Sequence, residues 1–130
     1  MHSESAWNAY REYLDGLKAD LRDRVQAIVE LALHDARIFW KEISIDTVEL
    51  LVADRAVKTQ PTRVVRILFA GVSDMEGLND AEGRWLLYDE IHLNDDGTFD
   101  YCALLDVGEV CIRIQSVRVF IYCLERESNS

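Results

Sequence analysis

A chain of 130 residues with 49% hydrophobic and 29% charged residues is long enough for one domain with a real core and too evenly mixed for disorder. Its formal charge of −10 disfavours nucleic acid and anionic membranes as partners, since both are polyanions, and favours steered association with a basic protein. No run approaches the roughly 18 consecutive apolar residues of a membrane-spanning helix, and the polar start MHSESAW lacks the pattern of a signal peptide. The three cysteines, Cys102, Cys111 and Cys123, make neither a C-x-x-C pair nor an even disulfide set. A cytoplasmic location is expected, with free thiols packed on strands as small hydrophobes.

Residues 4–35 carry apolar side chains at helical spacing. Trp7, Tyr10, Leu14, Leu17, Leu21, Val25, Ile28 and Leu31 define one stripe, and Ser3 or Ser5 is placed to cap its start. An unbroken helix of that length spans roughly 45 Å, whereas an eight-residue strand spans about 26 Å. The sequence therefore predicts a bend near Gly16, where the helix is weakest. After LHDARIFW the period changes to two. Strands are expected over 38–45, 47–53, 63–72, 85–93 and 98–105, and a last one over 109–124 with a bulge near Ser116. Between the third and fourth, SDMEGLNDAEG reads as an irregular loop with room for a helical turn. The expected architecture is a single α+β domain over 1–130, helical in 4–35 and β-rich in 38–124. Its N-terminal helix packs on one face of a curved antiparallel sheet of five or six strands.

The stretch LLYDEIHLNDDGTFDY concentrates five carboxylates and a histidine. NDDGT has the form of a type I turn followed by a left-handed glycine, a three-residue hairpin loop closed by Asn94 and Thr98. That register sets Leu93 opposite Phe99, Ile91 opposite Tyr101, Asp89 opposite Ala103 and Leu87 opposite Leu105. All but Asp89 suit an inner face. The outer face then holds His92 opposite Asp100, Glu90 opposite Cys102 and Tyr88 opposite Leu104. A following turn of Val107 and Gly108 pairs Cys102 with Arg113 and Leu104 with Cys111.

Catalytic signatures are missing from this pattern. Asp89 and Glu90 point to opposite faces of one strand, so they do not form an acid–base pair. There is no G-x-S-x-G elbow and no Gly-rich phosphate loop. NDDG opens like a calcium loop, but Leu105 stands where the closing glutamate belongs. His92, Glu90 and Asp100 have the donor types of a zinc site, although His2 and His34 are not placed to add a ligand. The simpler reading is an exposed cross-strand His–Asp pair. Tyr88, Leu104 and Phe120, set on an outer face among carboxylates, have instead the character of a surface that anchors a protein partner.

LHDARIFWKEI leading into strands, together with LLYDEIHLNDDGTFDYCALLDVGEVCIRI, resembles the small acidic immunity proteins of bacterial polymorphic-toxin and contact-dependent inhibition systems. The resemblance implies a single-domain cytoplasmic protein that blocks a cognate toxin by tight binding. It implies no catalysis of its own and no cofactor. Such toxins include nucleases, ADP-ribosyltransferases and NAD-degrading enzymes, whose active sites often lie in basic clefts. The expected contact surface on this chain is Tyr88, Glu90, His92, Asp95, Asp96 and Asp100. The alternatives are a metal-dependent hydrolase using His92, Glu90 and Asp100, and an oligomeric ligand-binding scaffold domain.

Overall fold

Along residues 63–70, side chains alternate between a buried face and an outer one. Val65, Ile67 and Phe69 are fully buried, whereas Val64, Arg66 and Leu68 between them are half-buried. The computed structural model describes Ala9, Glu12 and residues 23–31, 36–54 and 63–123. Its elements are α1 (Gln26–Leu31), β1 (Ala36–Ile43), β2 (Thr47–Asp54), β3 (Arg63–Ala70), β4 (Asp74–Glu76), a 3-10 turn (Leu78–Asp80), β5 (Trp85–Leu93), β6 (Phe99–Leu105), β7 (Glu109–Ile114) and β8 (Ser116–Cys123). The eight strands form one antiparallel sheet in the order β4-β7-β6-β5-β1-β2-β3-β8.

Two features fold this sheet onto itself. The join between β5 and β1 consists of two residue pairs, Ala36 with Leu86 and Arg37 with Trp85, so the ladder is narrow there. At the other side, β7 and β8 follow one another with only Gln115 between them, yet β7 pairs with β6 and β8 with β3. One run of extended chain therefore turns a corner and serves both halves, as strands do at the corners of folded sheets. The Gln115 N–H donates to the Ala70 carbonyl (2.9 Å) and holds the corner against the end of β3. The two four-stranded halves close on a shared core. Phe69 of β3 and Tyr101 of β6 pack ring to ring, with centroids 5.0 Å apart, although β5, β1 and β2 lie between their strands in the sheet.

Arg24 and α1 secure the corner. Val25 and Ile28 are buried in the core, and α1 packs against β8. The Val117 N–H donates to the Arg24 carbonyl (3.0 Å). The Arg24 side chain donates from Nε to the Gln115 carbonyl (2.7 Å) and from Nη2 to the Gly97 carbonyl (2.8 Å). Its guanidinium lies 5.2 Å from the centre of the Phe99 ring. One side chain thus joins the helix, the corner and the β5–β6 turn.

This architecture corrects the expected helix on a five- or six-stranded sheet. The strand expected over 109–124 is two strands, because no straight strand can pair with both β6 and β3. The loop expected after the third strand contains β4, which is too short for three residues to display an alternating pattern. The described helix is six residues long, at the end of the sheet beside β8. Apart from Ala9 and Glu12, the part of the expected helix before residue 23 lies outside the described residues, and so does the expected bend near Gly16. No helix among the described residues is long and apolar enough to cross a membrane.

Because the halves meet through Phe69 and Tyr101, truncating the first should cost more than any surface change. Phe69→Ala is expected to destabilise the fold by about 3–5 kcal/mol, and Tyr122→Ala, at an exposed position of β8, by about 0.5 kcal/mol or less. Urea unfolding followed by circular dichroism reads both.

Candidate functional site

The outward face of β4–β7–β6–β5 gathers the residues that carry chemistry. Its cross-strand rows follow from the register. One row reads Asp74, Arg113, Asp100, His92; the next reads Glu76, Cys111, Cys102, Glu90; the third reads Glu109, Leu104, Tyr88. The cations in these rows are Arg113 and, when protonated, His92.

The β5–β6 turn forms as its sequence predicts. The Asn94 N–H donates to the Thr98 carbonyl (2.7 Å) and the Gly97 N–H to the Asn94 carbonyl (3.1 Å), with Gly97 at a φ of 85°. The pairing runs as expected from Leu93–Phe99 to Tyr88–Leu104 and then shifts. Leu86, not Leu87, lies opposite Leu105 and enters the core, and Leu87 is 45% exposed. Asp89, the carboxylate among inward-facing positions, accepts a hydrogen bond from the Tyr101 hydroxyl (2.9 Å). That bond accounts for an acid at the edge of an apolar face.

The β6–β7 register differs from the expected one by two residues. Gly108, at a φ of 90°, returns its carbonyl to the Leu105 N–H (3.0 Å), so the loop is Asp106 and Val107. A shift of two keeps every side chain on its expected face but exchanges its neighbours. Cys102 lies opposite Cys111 rather than Arg113, and Leu104 opposite Glu109 rather than Cys111. Arg113 lies opposite Asp100 instead.

The expected partner-contact residues divide into three small groups. On β5, the Tyr88 hydroxyl donates to Glu90 Oε1, while Glu90 Oε2 lies 3.0 Å from His92 Nε2. At the turn, Asp95 is exposed, and Asp96 Oδ1 accepts from the Thr98 N–H (3.0 Å) and hydroxyl (2.6 Å). Those two bonds hold the Asp96 carboxyl below the usual carboxylate range. In the first row, Arg113 Nε donates to Asp100 Oδ1 (3.0 Å), which lowers the Asp100 carboxyl's pKa and raises that of Arg113. His92, Glu90 and Asp100 therefore do not converge on one point. Phe120 leaves the group altogether, because β8 belongs to the other half of the sheet, where Phe120 lies beneath the Arg66 guanidinium at 5.2 Å.

The middle row holds a donor cluster that hydrophobic periodicity does not reveal. The donor atoms of Cys102, Cys111 and Glu109 all lie within 4.8 Å of one another, with Cys111 Sγ 3.2 Å from Glu109 Oε1. Burial first, and then the neighbouring hydrogen bonds and carboxylates, push the Cys111 thiol up; burial and the surrounding carboxylates raise Cys102 as well. The signal available in sequence was the shared face of Cys102 and Cys111, which either turn register preserves.

Residues 2–115 match the model of a family described as a protein of unknown function, DUF4085. The chain belongs to the DUF4085 family. The family match runs through the whole outer face of β4–β7–β6–β5 and ends at the Gln115 corner. No curated protein and no solved structure matches the chain.

The Asp100–Arg113 pair has a pH signature. Asp100 titrates lower in the fold than its ordinary 3.8, so the pair's contribution is complete above about pH 4 and fades as pH falls through the depressed folded value. Asp100→Asn should lower the melting temperature by a few degrees at most at pH 7, since the pair is partly exposed. The gap between the two proteins should close in strong acid, as read by thermal melts from pH 7 down to pH 2.

Proposed function

We propose that this protein acts by binding, in the manner of an immunity protein. It lies over the basic active-site cleft of a cognate toxin enzyme in the cytoplasm and occludes it. The observation that carries this reading is the composition of one exposed sheet face. Leu87 and Leu104, 45% and 48% exposed, stand beside rows containing Asp74, Glu76, Glu90, Asp100 and Glu109. Exposed apolar side chains at one end of a face whose other rows are charged have the mixed composition of a protein interface. The chain's charge of −10 adds long-range attraction toward a basic partner.

In this reading the leucines are the anchor and the carboxylates are the guide. Asp95 and Asp96 project at the β5–β6 turn, where a partner's field is met first. Glu90, His92 and Asp100 form the polar rim, and Tyr88, tied to Glu90, holds that carboxylate in place. Occlusion requires no reaction on this chain, so the division of the face into separate ion pairs is no handicap.

The test is coexpression with the product of the neighbouring reading frame. The neighbour should be toxic alone, be neutralised by this chain and form a stable complex with it. Leu104→Arg should weaken that complex at least tenfold, about 1.4 kcal/mol, mainly by faster dissociation. The double variant Asp95→Lys, Asp96→Lys should mainly slow association, and rising salt should erase its deficit. A harmless neighbour that forms no complex sinks the proposal.

A further inference from the structure

We propose that Cys102, Cys111 and Glu109 bind a thiophilic divalent cation, zinc by its chemistry, on the outer face of the β6–β7 hairpin. The site is independent of the partner-binding reading.

The backbone sets the geometry. Leu105 and Gly108 are joined by a hydrogen bond across the strands. Bonded and non-bonded pairs alternate in an antiparallel ladder, so Cys102 and Cys111 form a non-bonded pair, the kind whose side chains approach most closely. Glu109 is two residues before Cys111 and projects from the same face. The three donor atoms lie within 4.8 Å of one another. Zinc–sulfur bonds of about 2.3 Å in a tetrahedron separate two sulfurs by about 3.8 Å, which that spacing accommodates. Two thiolates and a carboxylate are a donor set that selects zinc over magnesium or calcium.

The surroundings support the same assignment. Glu76 and Glu90 flank the two cysteines along their row, and β4 pins the hairpin from the outside. Gly77, at a φ of 80°, lets β4 continue past Glu109, where a Cβ would run into the Glu109 carbonyl. The ligands thus stand on paired strands whose backbones are fixed. Burial and the neighbouring acids raise both thiols in the metal-free protein, a cost that cation binding has to offset. A dication reverses that balance: each thiol loses its proton to solvent, two metal–sulfur bonds form, and the Glu109 carboxylate completes a three-ligand site. The fourth position is left to water.

The full chain, reduced and stripped of metal, should take up one equivalent of Co2+ with a thiolate-to-cobalt charge-transfer band, and Zn2+ should bleach that band. Zinc affinity should rise with pH, because two protons are released. Cys102→Ser and Cys111→Ser should each weaken zinc about 100-fold or more and Glu109→Gln about tenfold, while Cys123→Ser leaves it unchanged. Zinc should also shield Cys102 and Cys111 of the unaltered chain from alkylation, a readout that does not depend on any variant folding. The proposal is overturned if folded wild-type protein gives no charge-transfer band, or if the band survives in the folded Cys102→Ser, Cys111→Ser double variant. It is equally overturned if the two thiols are found only as a disulfide whose reduction restores no metal binding.

Discussion

The turn at Gln115 governs how the rest of this molecule is arranged. A run of extended chain from Glu109 to Cys123 would, if straight, extend one flat sheet and leave its apolar face open to water. By changing direction after a single residue, it pairs with β6 on one side of the corner and β3 on the other. The halves then face each other, and Phe69 and Tyr101 meet across the core. The turn takes the backbone groups of Gln115 out of both ladders, and the fold uses them as tethers. The Gln115 N–H finds the Ala70 carbonyl, and the Gln115 carbonyl finds Arg24. Arg24 is thereby placed to hold the β5–β6 turn through Gly97, so the corner and the acidic hairpin are mechanically connected.

The outer face is orderly despite its charge because of how its rows are composed. Like charges directly across a sheet are destabilising, and a row such as Glu76, Cys111, Cys102, Glu90 avoids them by placing two neutral thiols between the acids. In the adjacent row Arg113 stands between Asp74 and Asp100 and does the same work with opposite charge. The third row replaces the central charge with Leu104. Each carboxylate on the face therefore has a neutral or cationic neighbour across the ladder, and the acidic field is spread without direct acid–acid contacts across strands.

Much of the hairpin was legible because its signals are local. NDDGT specifies its turn by glycine conformation and side-chain capping, and the alternation of Phe99, Tyr101, Ala103 and Leu105 specifies the inner face. The corner was not legible. Gln115 and Ser116 lie in a run whose alternation reads as strand on both sides; the first half joins its hairpin neighbour β6, but the second half joins β3, whose residues are forty or more positions away. The β6–β7 register failed for a subtler reason. A two-residue slip leaves inside and outside unchanged, so hydrophobic pattern cannot detect it; only the left-handed Gly108 and its bond to Leu105 distinguish the two pairings. Because the cysteine pair depends on that choice, the site with the most specific donor chemistry was the one hidden from periodicity. Short β4 escaped for want of length, and with it Glu76.

The acidic field and the cysteine pair share a face, yet a metal there leaves the field intact. Two neutral thiols become two thiolates as the dication arrives, so the site's net charge is the same before and after. Attraction toward a basic partner would be undiminished, whereas the hairpin that carries Leu104 and Glu109 would gain a cross-link between its strands. Preorganising a binding surface reduces the ordering cost of association without adding a contact. The metal would then act on the dissociation of a complex more than on its formation, since encounter is set by charge and residence by how firmly the apolar side chains are held. On the proposed reading, a face with carboxylates along its rows, leucines at one end and paired thiols between them would separate the two tasks: the carboxylates would draw a basic surface in, and the hairpin beneath them would resist release.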